Sequence, residues 1–342
     1  MLPAPTGRRV AVLVPLSGSN ADLGRSMLRA ARLALQAGEG RPFDEVDTKG
    51  TAVGAAAAAH TAVEGGAGII VGPLTAAETG AVAAVTRPRN IPVLAFTSDS
   101  SRAQPEVWTL GITPAQQVRT LVQAVRAEGR GRIGAVLPGS SFGDALAAGL
   151  IAACQEAGLN GPTIRRYRPG AALDEAIGEL AAGSRGTIDA LLLGTTVDGA
   201  AAALPALAQA GLGPDRARLL GTALWAKDAP RATGLQGAWF AGPDPESLAT
   251  FEQNYTAAYG TPPREFSSVA FDAAGAARAV TEPTGINASL LLTPGGFSGP
   301  DGTFVLLPDG HVRRALALFE IGAHGVQRRP VGRDGPPATR VM

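Results

Sequence analysis

The sequence predicts an α/β fold in which strands and helices alternate to build two doubly wound lobes. The first observation is a complete βαβ unit within residues 68–99, with similar strand–helix pairs on both sides of it. The second is that the alternation starts again near residue 132, which gives a second βαβαβ set. The third is the length, since 342 residues are enough for two domains of ordinary size.

The central βαβ unit shows where polar side chains are expected. Gly68 to Val71 is a short apolar run that stops at Gly72-Pro73, as a buried parallel strand does. Thr75 to Val85 is rich in alanine and follows a capping hydroxyl, so it is predicted to be a helix. Ile91 to Phe96 is the next strand, and the polar cluster Thr97 to Asp99 ends it. Ligands bind at the carboxyl edge of open parallel sheets, so these strand ends are candidate site positions.

The remaining elements of the first lobe follow the same alternation. A helix capped by Asn20 or Asp22 reaches about Ala37, with Arg25, Arg29 and Arg32 on its wet face. The other predicted strands are Val10 to Val14, Phe43 to Val46 and Val107 to Leu110, and the other helices are Thr51 to Glu64 and Thr113 to about Glu128.

The second set is followed by a different kind of ending. Its predicted strands are Arg132 to Leu137, Thr163 to Tyr167, Ala190 to Leu193, Arg218 to Leu220 and Gly237 to Ala241. Its predicted helices are Phe142 to Gly158, Leu173 to Ala182 and Asp198 to Ala210. Two further helices, Pro245 to Tyr259 and Arg264 to Val280, precede a β-hairpin around the turn Pro308-Asp309-Gly310.

Composition excludes several classes of function. The net charge of +1 gives no indication of nucleic-acid binding, and no apolar run is long enough for a membrane span. Metal-binding spacings such as CxxC or HExxH are absent, as are a Walker A sequence and a GxGxxG after a strand, so we predict no metal and no cofactor. The single cysteine, Cys154, lies in an apolar helical stretch and is expected to be a buried, inert thiol.

One motif raises the alternative of a hydrolase. Gly139 to Gly143 fits G-x-S-x-G and lies between a strand and a helix, where a nucleophile elbow would be. A triad would need a histidine further along the chain, and only His311 and His324 follow, in or after the terminal hairpin. We favour the simpler interpretation that Ser140, Ser141 and Phe142 line a ligand cleft, and we predict no catalytic residue.

Five stretches, taken in order, resemble a known family. They are VAVLVPLSGSNADLGRSMLRAARLAL, GIIVGPLTAAETGAVA, IPVLAFTSD, IGAVLPGSSFGDALAAGL and GGFSGPDGTFVLLPDGHVRRALALFEI. Together they resemble type I periplasmic binding proteins, and more narrowly the branched-chain amino acid (Leu/Ile/Val)-binding family of ABC-transporter receptors. The resemblance implies two α/β lobes joined by three crossovers, with a ligand closed between them. Lobe 1 would be residues 1–111 and 243–299, lobe 2 would be 112–242 and 300–330, and 331–342 would be a tail; the crossovers fall near Gly111, Gly242 and Gly299.

The resemblance also places ligand-binding positions. In amino-acid-binding members, small hydroxyl residues after the GPL turn and after the next strand hold the ligand. The first hydroxyl position falls at Ala76, with Thr75 and Ala77 beside it, and the second set falls at Thr97, Ser98 and Asp99. In the other lobe, the family's aromatic residue corresponds to Phe142, its tyrosine to Thr196 and its acid to Ala223. From the strand ends we add Ser17, Ser141, Thr195 and Trp225 to the expected lining.

The replacement of the family's acid by Ala223 affects the expected ligand. A buried ammonium needs a counter-charge, and among the expected lining residues only Asp99 could supply it. We therefore expect a small polar or aromatic ligand rather than a standard amino acid.

A second branch of the same fold is similar too. The PLSG opening, the LAF-T-S-D strand end and the ALFEI ending resemble the C-terminal domain of penicillin-binding protein activator lipoproteins, which bind a peptidoglycan synthase. The first branch implies a small ligand and an ABC-transporter permease as partners, and the second implies a synthase and a lipid anchor. The N-terminus shows no long apolar run, so the protein is either cytoplasmic or a mature chain without its export signal; both branches imply a non-enzymatic protein of the periplasm.

Overall fold

The protein is an α/β structure whose described part divides into two compact units. The computed structural model describes residues 8–35, 43–168, 170–171, 173–184 and 188–330. Unit 1 combines the chain up to Thr113 with Asp244–Ala315, and unit 2 combines Pro114–Pro243 with the chain from Leu316. The expected tail, 331–342, lies outside the described residues. None of the helices in the described ranges is both long and apolar enough to cross a bilayer.

The first chain segment forms a five-stranded parallel sheet in unit 1. Its strands are β1 (Arg9–Val14), β2 (Phe43–Asp47), β3 (Ala67–Val71), β4 (Val93–Ala95) and β5 (Val107–Thr109), in the order β2-β1-β3-β4-β5. The connecting helices are α1 (Ala21–Leu35), α2 (Ala52–Glu64) and α3 (Ala76–Thr86).

The second segment gives unit 2 a sheet of the same parallel type. Its strands are β6 (Ile133–Pro138), β7 (Thr163–Tyr167), β8 (Ala190–Leu193), β9 (Arg218–Gly221) and β10 (Trp239–Gly242). Its helices are α4 (Pro114–Ala127), α5 (Ser141–Glu156), α6 (Asp174–Gly183), α7 (Val197–Ala202) and α8 (Leu204–Gln209). The single helix expected over 198–210 is split into α7 and α8, because Pro205 in the first turn of α8 cannot donate a backbone hydrogen bond to α7.

The third segment returns to unit 1 before it completes unit 2. It forms α9 (Pro245–Tyr259), α10 (Ser267–Ala279), β11 (Thr281–Glu282), β12 (Gly285–Ile286), β13 (Phe297–Gly299), β14 (Gly302–Leu306), β15 (Val312–Arg314), β16 (Ala317–Gly322) and β17 (Gly325–Arg329). β16 pairs antiparallel with β10 and with β17, so the second sheet has the order β17-β16-β10-β9-β8-β6-β7.

Alternation along the strands places apolar side chains on both faces of each sheet. In β1, Val10, Val12 and Val14 join the core that includes α1, α9 and α10, while Ala11 and Leu13 join the core under α2 and α3. Successive side chains of a strand point to opposite faces, so a buried parallel strand needs apolar residues throughout. Each unit therefore has its own hydrophobic core on both sides of its sheet.

The terminal hairpin forms as predicted, but it belongs to unit 1. β14 and β15 pair antiparallel around the expected turn, with Leu306 opposite Val312. Residues 300–315 do not belong to lobe 2 as predicted, because Phe304, Leu306 and Val312 are buried in the core that includes α1 and α10. The third boundary between the units accordingly lies at Ala315/Leu316 and not near Gly299, whereas the other two, Thr113/Pro114 and Pro243/Asp244, lie close to the expected positions.

Candidate functional site

The carboxyl ends of three neighbouring strands bring the unit 1 candidates together. Ser17 follows β1, Thr75 to Ala77 follow β3, and Thr97 to Asp99 follow β4. These strands are adjacent and parallel in the order β1-β3-β4, so the loops after them lie side by side. We call these three loops edge 1.

Unit 2 has an equivalent arrangement. Ser141 and Phe142 follow β6, Thr195 and Thr196 follow β8, and the segment from Ala223 to Trp225 follows β9. The strands lie in the order β9-β8-β6 and are parallel. We call these three loops edge 2.

Three hydroxyl groups at these edges cap helices with their oxygen atoms. The oxygen of Thr75 accepts from the Glu78 N–H at 3.2 Å, that of Ser140 from Gly143 at 3.3 Å, and that of Thr196 from Gly199 at 3.2 Å. A hydroxyl that accepts from the backbone still has its own O–H to donate. The capping hydroxyls can therefore act as donors to a ligand.

Asp99 is engaged by its own turn. Its carboxylate accepts from the Ser101 N–H at 3.0 Å and lies 3.8 Å from Arg102 Nε, with 42% of the side chain exposed. The hydroxyl of Thr97 accepts from the Asp99 N–H at 3.1 Å, and Ser98 is exposed. The expected counter-charge for an ammonium is thus already partly compensated by a neighbouring guanidinium.

A second carboxylate, Asp47, lies beside edge 1 at the end of β2 and was not predicted as a site residue. It ends β2 opposite Val14 and accepts from the N–H groups of Leu16 and Lys49, both at 2.8 Å, and from the Ser17 hydroxyl at 2.7 Å. Burial raises the pKa of the Asp47 carboxyl, but these hydrogen bonds outweigh it and hold the pKa below its usual value. Asp47 fixes the loop that carries Ser17, and its position at the end of a strand is the signal that the sequence offered.

Trp225 corrects one expectation about edge 2. We expected it to offer an apolar face to a ligand, but its side chain is fully buried in the core of unit 2. Its ring lies against Gly221, where a Cβ would overlap it, and its Nε1 donates to the Thr195 carbonyl oxygen at 2.8 Å. The backbone N–H of Ala223 donates to Gln117 Oε1 at 2.7 Å. Trp225 and Gln117 therefore support the loops of edge 2 from below.

Phe142 and Ser141 are placed at the start of α5. Phe142 is half-buried and packs against the core of unit 2, whereas Ser141 is exposed. In unit 1, Ala76 is half-buried and Ala77 is exposed at the start of α3.

The structure gives the G-x-S-x-G pattern a packing explanation. A Cβ on Gly143 would overlap the carbonyl oxygen of Pro138, so glycine is needed where α5 meets the end of β6. His324 lies in the β16–β17 turn, beyond the amino-terminal ends of the parallel strands and thus at the edge opposite Ser141. His311 lies on the unit 1 hairpin, 3.3 Å from Asp309. Within the described part of unit 2, no histidine is placed to activate Ser141.

Metal and thiol chemistry find no support at these edges. Across the described ranges, no group of three or more histidine, cysteine, aspartate or glutamate side chains is arranged to hold a metal ion. Cys154 is buried on α5, and burial raises the pKa of its thiol, which disfavours the reactive thiolate.

An aromatic residue outside the predicted lining lies close to edge 1. Phe266 has a φ of 64°, which is strained for an aromatic residue, and it is 66% exposed at the start of α10. The Ser267 hydroxyl bonds to Ser26 at 2.8 Å, and Arg264 lies 3.7 Å from Asp22. Both contacts place Phe266 beside the first turns of α1, which begins just after the β1 loop.

Comparisons with known proteins identify the family and the fold of this chain. A family model described as "Periplasmic binding protein" matches residues 8–326. No curated protein sequence matches the chain.

Three solved structures are similar to the chain. A Rhodospirillum rubrum structure assigned to a branched-chain amino acid ABC transporter has a TM-score of 0.77 at 20% identity, with 94% of this chain and 100% of that chain covered. The C-domain of Haemophilus influenzae LpoA, a regulator of PBP1A, has a TM-score of 0.75 at 15% identity, with 94% and 100% covered. An R. palustris solute-binding protein in complex with benzoate has a TM-score of 0.57 at 18% identity, with 98% and 100% covered. The α/β fold predicted from the sequence is thus that of type I periplasmic binding proteins, and the chain belongs to the periplasmic binding protein family.

Proposed function

We propose that this protein is a non-enzymatic periplasmic receptor of an ABC transporter. In this proposal the strand-end loops bind a small ligand that carries a hydrogen-bond acceptor, such as a carboxylate, and no ammonium group. The supply of O–H donors at the strand ends carries the proposal.

The edges offer donors and positive helix ends. The capping hydroxyls of Thr75, Ser140 and Thr196 keep their protons for a ligand. The helices α1, α3 and α5 all begin at these strand ends, and the amino-terminal end of a helix carries partial positive charge. Each neutral hydrogen bond contributes roughly 1 kcal/mol net, and bonds to a charged acceptor contribute more.

The carboxylates at the edges do not favour an ammonium. Asp99 is shared between its own turn and Arg102, and Asp47 is engaged by several donors of the β1 and β2 loops. Ala223 stands where the resemblance implies an acid. A buried ammonium without a partner costs several kcal/mol, so a zwitterionic amino acid is the weaker candidate.

The exposed aromatic side chains favour a ligand that has an apolar part. Phe266 exposes its ring beside edge 1, and Phe142 is half-exposed at edge 2. A flat aromatic carboxylate would pack against an aromatic ring and accept hydrogen bonds from the hydroxyl donors. The benzoate bound by the similar R. palustris protein makes benzoate a suitable probe.

Calorimetry with benzoate and with leucine, isoleucine and valine tests the choice of ligand. We expect benzoate to bind, with weak or no binding of the three amino acids at millimolar concentration. Micromolar affinity for leucine that is abolished by Asp99→Asn would reject the proposed ligand class and indicate an amino-acid receptor. Mass spectrometry of the protein purified without denaturation would identify any small molecule that it carries.

A pair of cap variants separates binding from stability. Thr75→Val and Thr51→Val each remove an N-cap hydroxyl, from α3 and α2, and each should cost about 1 kcal/mol of stability. Only Thr75 belongs to edge 1, so only Thr75→Val should weaken benzoate binding, by several-fold. Equal weakening in both variants would contradict a role for Thr75 in binding.

A second candidate function is contact with a peptidoglycan synthase, with the protein anchored by a lipid. Leu224, which is 52% exposed next to Ala223, and Phe266 are large apolar side chains left in solvent, and such residues are common at protein interfaces. Binding of a purified synthase that is lost in Leu224→Asp, with no heat from benzoate or amino acids, would favour this candidate. Retained benzoate binding without synthase binding would favour the receptor.

A further inference from the structure

Three charged side chains form a buried cluster in unit 1. Asp272 on α10 and Arg314 on β15 form an ion pair in which both side chains are fully buried. Asp301, in the turn between β13 and β14, is 2% exposed and belongs to the same cluster. None of these three residues belongs to the loops of edge 1.

The hydrogen bonds of this cluster are incomplete. Arg314 donates to Asp272 Oδ2 and, through Nη2, to the Leu110 carbonyl oxygen at 3.1 Å, and its guanidinium lies 4.7 Å from the centre of the Phe304 ring. Asp272 Oδ1, Asp301 Oδ2 and Arg314 Nε are buried without a hydrogen-bond partner. Unsatisfied buried polar atoms are costly, so their concentration in one place requires an explanation.

The cluster lies where two chain segments leave unit 1. Arg314 directly precedes the boundary at Ala315/Leu316, and Leu110 lies just before the boundary at Thr113/Pro114. The Arg314 guanidinium therefore links the two chain segments that precede the first and third of the three crossovers. Gly299 is needed here as well, because a Cβ at this position would overlap the Asp272 carboxylate.

We propose that Asp272, Asp301 and Arg314 form a proton-responsive anchor for the first and third crossovers. With one carboxyl protonated, the anchor is neutral and holds both crossovers. When that proton is lost, the anchor carries an excess negative charge and the crossovers loosen. If the protein is a receptor as proposed, loosening of these segments would make its ligand affinity depend on pH.

The charge balance explains why a proton is held. Two carboxylates face one guanidinium, so full ionisation leaves one uncompensated negative charge out of contact with water. Burial raises the pKa of Asp272 to about 7, with Asp301 adding to this effect and Arg314 opposing it. Burial also raises the pKa of Asp301. Both pKa values are raised, and one proton on this pair of carboxyls balances the single guanidinium charge.

The groups on the surrounding elements do not change the charge balance of the cluster. The Ser268 hydroxyl of α10 bonds to Asp301, and β5 contributes the Leu110 carbonyl oxygen. The charged side chains of α1, the main neighbour of α10, have other partners: Arg25 pairs with Asp22, Arg32 pairs with Glu45, and Arg29 lies over Tyr259.

Hydrogen–deuterium exchange on the ligand-free protein tests the anchor. After correction for intrinsic rates, protection of the amides at residues 110–113 and 314–316 should fall several-fold between pH 6 and pH 8. Asp272→Asn keeps the shape of a protonated carboxyl, so it should show the same protection at both pH values. Asp144→Asn, at an exposed unit 2 carboxylate paired with Arg166, should behave like the wild type.

Two results would overturn the anchor. One is wild-type protection at both segments that does not change from pH 6 to pH 8. The other is an Asp272→Asn protein that keeps the wild-type pH dependence; if that variant does not fold, Asp301→Asn provides the same comparison. No ligand enters the measurement, so a failure here leaves the receptor proposal intact, and a failed calorimetry experiment leaves the anchor intact.

Discussion

At the scale of single residues, close backbone approach explains a motif that otherwise suggests catalysis. Gly143 on α5 and Gly24 on α1 play the same part, since a Cβ on either would overlap the carbonyl oxygen of the strand-end proline, Pro138 or Pro15. Both glycines let the first turns of a helix pack directly on the end of a strand. The repetition of this contact in the two units explains Gly143 without a nucleophile.

Replacing two helical glycines with alanine tests this explanation. Gly178→Ala on α6 has open space around it and should stabilise the protein by about 1 kcal/mol through helix propensity. Gly143→Ala should instead destabilise it by about 1–3 kcal/mol, because the strand end must move. Urea denaturation measures both free energies of unfolding; equal stabilisation by the two variants would refute the packing role.

The absence of catalysis is a separate prediction. Ser141→Ala should leave the hydrolysis of simple esters at the level of the wild type, because no histidine in the described part of unit 2 can activate this serine. A spectrophotometric ester assay makes the comparison, with Ser289→Ala as a control on an exposed serine in unit 1. Ester hydrolysis that the Ser141 variant alone loses would revive the hydrolase alternative.

The buried carboxyl of Asp272 predicts how stability changes with pH. Its pKa is about 7 in the folded protein and 3.8 without burial, so the folded state keeps a proton that the unfolded chain has lost between these values. The free energy of unfolding should therefore fall as pH rises from about 4 to about 7, by on the order of 4 kcal/mol from this group alone.

Asp272→Asn provides the comparison for this pH dependence. The variant cannot ionise at position 272, so the corresponding part of the decrease should disappear. Chemical denaturation of both proteins at several pH values measures it. The raised pKa would be contradicted if the free energy of unfolding of the wild type rose from pH 4 to pH 7 and rose by the same amount in the variant.

At the scale of elements, the last two strands complete the second sheet. β16 pairs with β10, and its side chains Leu318, Phe319 and Ile321 are buried. The Glu320 carboxylate accepts a hydrogen bond from Trp239 Nε1 at 2.9 Å. Burial of a large apolar side chain contributes about 1.5–3 kcal/mol. These two strands are therefore a structural part of unit 2.

A shortened chain tests the contribution of these strands. A chain that ends after Ala315 should lose exchange protection at Trp239–Gly242 while β3 in unit 1 remains protected. A chain that ends after Pro330 is the control and should keep both. Full protection of β10 in the shorter chain would show that β16 is dispensable.

The sequence predicted most elements, because strand and helix periodicity is a local property. Apolar runs such as that of β3 and caps such as Thr75 are visible within a few residues. The break at Ala315 between β15 and β16 was not predicted, since alternation continues across it and only tertiary packing assigns each side to a unit. Trp225 and Phe266 were misjudged or missed for the same reason, because burial and a left-handed backbone depend on distant neighbours.

At the scale of the whole molecule, each unit has its own group of strand-end loops, so ligand contacts can be mapped in each unit separately. If edge 1 binds the ligand as proposed, saturating benzoate should slow amide exchange in residues 75–77 and 97–99, and the same experiment reports on residues 141–142 and 195–196 of edge 2. The segment at Ser289, which is distant from edge 1 along the chain, serves as an internal reference. Unchanged exchange at both edges would contradict the proposed binding loops.

Neither unit is made of one continuous stretch of chain. α9 and α10 cover a sheet whose strands were synthesised long before them, and β16 completes a sheet begun at β6. During synthesis the unit 1 core that includes α9 and α10, and the β10 edge of the unit 2 sheet, thus stay incomplete until the carboxyl-terminal segments have left the ribosome, and pairing between such distant segments is slow. Late completion of the fold prolongs the unfolded state, in which a protein bound for the proposed periplasmic location can be threaded through a membrane channel.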